Sequence, residues 1–169
     1  MKSTPDELNH IVYLVLLIIT LAYPFIKSFE HRIRMYRKWK YIFPAIIITA
    51  LLFIAWDYWF VRQSVWHFND HYILGFKILQ LPVEEWIFFI IIPYACFFIY
   101  EVVRYFFRLK RYSELFFGLH FLLIIAFLFL GFWYQKKLYT FICFISAASL
   151  MIIMGFIQFI KKRLPYFYV

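Results

Sequence analysis

The chain has 169 residues, of which 66% are hydrophobic and 26% aromatic, with a formal net charge of +9 and a mean hydropathy of +0.77. Soluble domains hold roughly 45–50% apolar residues, so a water-soluble core is excluded. At about 20 residues per helical span, the length predicts one transmembrane domain over residues 1–169 with no separate soluble domain.

Apolar runs at His10 to Ile26, Tyr41 to Val61, Pro82 to Tyr100, Leu115 to Trp133 and Leu138 to Ile160 each approach the length that crosses ~30 Å of hydrocarbon as a helix. The expected fold class is all-α, a polytopic transmembrane bundle of about five spans. Barrel strands would be shorter and would alternate in character. Asp6 and Glu7 precede the first run and no small-residue cleavage site follows it, so that run is expected to be a retained helix and not a signal peptide.

The cations flank the apolar runs. Lys27, Arg32, Arg34, Arg37, Lys38, Lys40, Arg104, Arg108, Lys110, Arg111, Lys161, Lys162 and Arg163 fall on one predicted side, 13 of the 18. Lys2, Arg62, Lys77, Lys136 and Lys137 fall on the other. The positive-inside rule then predicts an outer N-terminus and a cytoplasmic C-terminus in a multi-pass cell-membrane protein, with a bacterial inner membrane as the expected location. Nucleic acid is not an expected partner, because the charge marks topology and forms no basic stripe.

Cys96 and Cys143 sit in apolar runs without CxxC spacing, so neither a disulfide nor a metal site is expected. His67 and His71 are spaced i, i+4 and could hold a metal only if helical; hydrogen bonding at the membrane boundary is the expected role, and no metal is assigned. Glu101 is expected to pair with Arg104 at i, i+3, and Glu30 to be a solvated partner of its basic neighbours. The phenylalanines from Phe116 to Phe132 read as lipid-facing or packing residues.

The connection from Arg62 to Leu81 is long and rich in aromatic and polar residues, among them Trp66, His67, Phe68, Asn69, Asp70, His71 and Tyr72. Trp and Tyr favour the headgroup level, which places this segment at the outer membrane boundary. Next comes Leu81-Pro82-Val83-Glu84-Glu85-Trp86. Proline suits the first turn of a helix, and Glu84 and Glu85 then lie at the positive end of the helix dipole. One reading makes them helix-capping acids at the water boundary. The other makes them functional, because ionisable groups at membrane depth are costly and neighbouring carboxyls in apolar surroundings hold protons that they can donate. A third acid, Asp57, lies near the outer end of the second span in Trp56-Asp57-Tyr58-Trp59. Aromatic faces attract cations, so this surrounding suits a carbocation formed on an apolar substrate.

Phe43-Pro44, Trp56-Asp57, Val65-Trp66-His67-Phe68-Asn69, Tyr72, Gly75, Leu81-Pro82-Val83-Glu84-Glu85-Trp86 through Phe89, and Pro93-Tyr94-Ala95-Cys96 to Tyr100-Glu101 together resemble the membrane-embedded lycopene cyclase family. That family occurs as heterodimers in some bacteria and as fused domains in fungi and other prokaryotes. The resemblance is dense over residues 41–101, the core module, and weaker afterwards, where residues 113–160 are expected to begin a second module.

The resemblance implies an isomerase that converts the linear ends of lycopene to ionone rings without redox change. An acid protonates the terminal double bond, a neighbouring double bond attacks the cation, and a proton is lost. On that chemistry Glu84 or Glu85 is the expected proton donor, with the other glutamate or Asp57 as positioning partner or base; Trp56, Trp66, Phe88 and Phe89 are expected to line the path of the cation, and Asn69 and Tyr72 to bind substrate with them. The carotenoid would enter laterally from the surrounding membrane lipid. With 4 glycines and no phosphate-cradling loop, no nucleotide, flavin or other cofactor is expected. The family commonly joins two three-helix modules, each with a proline–acid motif, whereas here Glu114 is the sole acid after Glu101. The expectation is a chain that is the front part of a longer protein, or one that works with a second cyclase subunit or as a homo-oligomer. The competing expectation is a non-catalytic carotenoid-binding or scaffold subunit. A transporter fits less well, because spans one, four and five offer almost no polar residues for a midplane site.

Overall fold

The computed structural model describes residues 11–107, 113–157 and 163–168. Among the described residues, five α-helices follow the five apolar runs: α1 (Val12–Lys27), α2 (Trp39–Arg62), α3 (Val83–Phe106), α4 (Ser113–Trp133) and α5 (Leu138–Phe156). A ribbon of two short strands, β1 (Lys77–Ile78) and β2 (Leu81–Pro82), precedes α3. The all-α expectation is met. Four of the helices among the described residues are long and apolar enough to cross a membrane, and α1 is a shorter apolar helix of 16 residues. His10 and Ile160, at the outer limits of the first and last predicted runs, lie outside the described residues. So do Lys2, Asp6, Glu7, Arg108, Lys110, Arg111, Lys161 and Lys162.

The helices carry apolar side chains on their outer faces: Leu52 is 68% exposed, Ile125 64% and Phe156 82%. Such surfaces suit hydrocarbon, in which the backbone satisfies its hydrogen bonds internally. Pro24, Pro44 and Pro93 all lie inside helices, a position tolerated far better in membrane helices than in soluble ones. Helix α3 begins at Val83, immediately after Pro82, which agrees with the predicted start within the usual latitude of a helix end.

The chain forms two compact units, Met1–Val102 and Val103–Val169. In the first, Met35, Ile42, Ile46, Tyr94 and Phe98 form one buried cluster, and Ala50, Ile54 and Leu81 form another. The first cluster fixes the end where α1 turns into α2. Ser28, fully buried, donates from its hydroxyl to the Pro24 carbonyl at 2.6 Å and contacts the Tyr94 hydroxyl at 2.6 Å. Glu101 forms an ion pair with Lys38, a contact between elements that the i, i+3 spacing to Arg104 does not anticipate. Glu30 pairs with Lys27 at 3.0 Å on the surface.

In the second unit, α4 and α5 pack as a pair joined by a short turn. A Cβ on Gly131 would lie 3.0 Å from Cδ1 of Ile145, so a small residue lets the helices approach closely. His120 of α4 is 1% exposed. Its Nε2 is 2.9 Å from the Met151 carbonyl, and its Nδ1 is 2.6 Å from the Tyr168 hydroxyl. The carbonyl can only accept, so Nε2 carries the hydrogen and the Tyr168 hydroxyl donates to Nδ1. Burial pushes the Tyr168 phenol above its ordinary value. Leu164, Pro165 and Tyr166 of the terminal 3-10 turn are buried beside this bond.

Candidate active site

Successive helices in the first unit bring the start of α1, the end of α2 and the start of α3 to one end. Each contributes a polar side chain there. From α1, the Tyr13 hydroxyl donates to Glu85 Oε1 at 2.8 Å. From α2, Asp57 is 8% exposed and near enough to Glu85 for the two charges to act on each other. Tyr13 lies within electrostatic reach of Glu84, Glu85 and Asp57. Three of the groups are the acids expected from the sequence; Tyr13 is an addition.

The adjacent glutamates have different surroundings, as ~100° between successive helical residues requires. Glu84 is fully buried, and the backbone N–H of Leu74 donates to its Oε1 at 2.6 Å. Its Oε2 is buried without a hydrogen-bond partner among the described residues. Glu85 is half-buried, faces α1 and accepts from Tyr13. The two acids of the motif therefore part: the first binds a loop amide, and the second is met by α1.

The connection that supplies the Leu74 amide is tightly built. Lys77 pairs with Pro82 and Ile78 with Leu81, antiparallel. The two residues between them, Leu79 and Gln80, have φ of 53° and 65°, as a two-residue hairpin turn of this hand requires. Leu81 and Pro82 are buried, and the Val83 N–H donates to the Phe76 carbonyl at 3.0 Å. On the exposed side, the Lys77 ammonium donates to Asp70 at 2.7 Å and holds that carboxyl below the usual carboxylate range. His67 and His71 do not share a helix, since residues 66–69 are irregular and Asp70–Tyr72 is a single 3-10 turn. Among the described residues, no group of three His, Cys, Asp or Glu is arranged to hold a metal.

The aromatic residues divide into two sets. Trp56 and Trp66 both lie against buried Phe60, with ring centroids at 5.4 and 5.2 Å. Phe89 stacks on Phe53 at 5.7 Å, meets Phe88 edge to face and packs with Trp86 against the Leu81 cluster. The other two expected substrate residues belong to the connection before α3. Asn69 accepts from the His71 backbone N–H at 3.1 Å and thereby caps its own turn. Tyr72 is 49% exposed. Tyr13 escapes a sequence reading because a tyrosine at the start of an apolar run is what any membrane boundary shows.

Comparison with known proteins converges on one family. The chain is 30% identical over 108 residues to a bifunctional lycopene cyclase/phytoene synthase of Aspergillus oryzae, covering 62% of this chain and 17% of that protein. It is 28% identical over 88 residues to the protein so named in Podospora anserina, covering 52% and 14% respectively. With the Aspergillus niger protein of that name it shares 34% identity over 64 residues, 35% of this chain and 11% of the other. The matches thus span less than a fifth of those relatives' length. The relatives are fungal and lend no support to a bacterial inner membrane. No solved structure matches the chain significantly. The family model described as lycopene cyclase matches residues 9–103, which include the described members of the acid cluster and more than half of the sequence, and the chain belongs to the lycopene cyclase family.

Proposed function

We propose that this chain catalyses redox-neutral, proton-initiated cyclisation of the linear ψ-ends of a lycopene-type carotenoid to ionone rings. The observation that carries the reading is the convergence of Glu85, Asp57 and Tyr13, beside Glu84, at one end of the unit that holds the family match. The substrate is an apolar polyene that reaches the site from the bilayer. A carboxyl of the Glu84, Glu85 and Asp57 group gives a proton to the terminal double bond. The neighbouring double bond supplies the electron pair that closes the ring, and the cation loses a proton to a carboxylate of the same group. Trp56, Trp66, Phe88 and Phe89 offer π faces toward the cation; Asn69 and Tyr72 act at the boundary where the chain end enters.

The helices lie in a membrane with the acid cluster toward the outer side, following the distribution of cations. Residues 41–101 act as a core module within one transmembrane domain, and residues 113–160 begin the next. A second module or subunit, or a second copy of this chain, completes the assembly, because a single proline–acid motif occurs in the sequence.

The test is expression in lycopene-accumulating cells, alone and with a second cyclase module, followed by pigment analysis. Cyclic carotenoids should form and should disappear in the double variant Glu84→Gln/Glu85→Gln while the protein remains inserted. Rings formed equally by that variant refute acid catalysis by the motif. A carotenoid that copurifies without ever cyclising would favour a binding or scaffold subunit.

A further inference from the structure

We propose that Tyr13 is a positioning residue which holds Glu85 toward Asp57 as the working proton pair, while Glu84 serves the same site by clamping the connection before α3. This rests on the cyclase reading and divides its roles between the two glutamates.

The hydrogen bonds separate them. Leu74 N–H fixes Oε1 of Glu84, and no part of that side chain reaches the surface. Glu84 thus anchors residues 73–75 to the first turn of α3, where a carboxyl also favours the helix dipole. Glu85 is only half-buried and is held from another helix. The Tyr13 hydroxyl takes one of its oxygens, Oε1, and a carboxyl whose carbonyl oxygen accepts a hydrogen bond keeps the second oxygen for its proton. Asp57, buried on α2 and within electrostatic reach of both Glu85 and Tyr13, is assigned as the other member of the pair. Nearby carboxyls in apolar surroundings share a proton readily, since both cannot ionise without strong mutual repulsion.

The step balances without oxidant or reductant. The Oε2–H bond of Glu85 breaks as a C–H bond forms on the terminal alkene, which leaves a cation on the adjacent carbon. The π pair of the neighbouring double bond forms the ring C–C bond and moves the cation into the ring. A C–H bond beside that cation then breaks, its electron pair becomes the ring double bond, and the Asp57 carboxylate receives the proton. Transfer from Asp57 to Glu85 restores the starting state.

The experiment is infrared difference spectroscopy across a pH step on the full chain in lipid vesicles, beside ring formation in cells. Beside any band of buried Glu84, lost only in Glu84→Gln, a protonated-carboxyl C=O band should be present in the unmodified chain, persist in Glu84→Gln and vanish in Glu85→Gln. In Tyr13→Phe it should move to higher frequency, because the bond that weakens the C=O is gone. A structural role for Tyr13 would not move that band. Ring formation should fall roughly ten- to a hundredfold in Tyr13→Phe, the cost of a misplaced reacting group, and at least tenfold further in Glu85→Gln than in Glu84→Gln. Failure of Glu85→Gln to remove a band, or a Glu85 band unmoved by Tyr13→Phe, overturns the assignment. The two glutamine variants decide the proton's location even if Tyr13→Phe does not fold. If the unmodified chain makes no rings with or without a second module, the cyclase reading fails while the spectra still decide the roles of Tyr13, Glu84 and Glu85.

Discussion

Replacing Ser28 by alanine probes what keeps α1, and with it Tyr13, against α3. Ser28 and Tyr94 are 0% and 2% exposed, and their hydroxyls are 2.6 Å apart. Ser28 directs its hydrogen to the Pro24 carbonyl, so Tyr94 is the donor to Ser28 Oγ. Ser28→Ala strands the Tyr94 hydroxyl in the interior, which costs about 1–3 kcal/mol for an unsatisfied buried group in water-soluble proteins. In a membrane the unfolded reference also finds partners, and measured values average roughly 0.6 kcal/mol with a maximum near 1.7. The expected loss is therefore about 1 kcal/mol. Tyr94→Phe should cost less, because Ser28 keeps its bond to Pro24, and the double variant should cost less than the sum of the two. Mixed-micelle unfolding followed by circular dichroism measures all three. From residue 13 to residue 28 is about 22 Å at 1.5 Å per residue, so the same variants should also weaken the Tyr13 contact at the far end of α1. Strictly additive effects, or no loss in Ser28→Ala, would refute the assigned coupling.

Two further predictions concern elements outside the acid cluster. His120→Ala and Tyr168→Phe should each destabilise the α4–α5 unit by about 1–2 kcal/mol, with much less than additive loss together; proteolysis at the C-terminus reads the release of the turn Leu164–Tyr166, and equal protection in the single variants counts against the bond. The Asp70–Lys77 pair holds the Asp70 carboxyl below its ordinary value, so its support for the hairpin is present above the unfolded value of about 4 and is lost as pH falls through the lower folded one. High salt and Asp70→Asn should each mimic acid at neutral pH, as limited proteolysis of residues 70–80 will show, whereas cleavage indifferent to all three conditions would remove the pair from the account.

The helices were legible because continuous apolar runs leave lipid-spanning helices as the natural solution; Trp39–Arg62 and Val83–Phe106 overshoot their predicted runs only at the ends. The convergence of Asp57 with Glu84 and Glu85 followed from alternating helix direction alone. What stayed hidden were contacts that hydropathy does not encode. Tyr13 looks like a boundary tyrosine until α1 is placed beside Glu85. His120 appears as a lone polar residue in the fourth run, yet both its ring nitrogens find partners far along the chain. The polar face of Asn69 turned inward to its own loop, because an Asn side chain competes for nearby backbone amides.

The connection before α3 shows why the two adjacent acids diverge. Leu79 and Gln80 both occupy the left-handed region, at about 1–2 kcal/mol each for residues with a Cβ, in a turn for which Asn-Gly would be the unstrained choice. Burial of Leu81 and Pro82 and the bond from Leu74 to Glu84 offset that strain. Removing the carboxyl at position 84 would free a loop amide and loosen the very turn that aims the start of α3. A side-chain acceptor is therefore needed at position 84 on structural grounds alone, and its neighbour, turned about 100° away, faces α1 instead. A motif of two carboxyls in sequence thus becomes two separate environments in space, Glu84 bound to a loop amide and Glu85 bound by Tyr13 from another helix, and the division of roles proposed above rests on that separation.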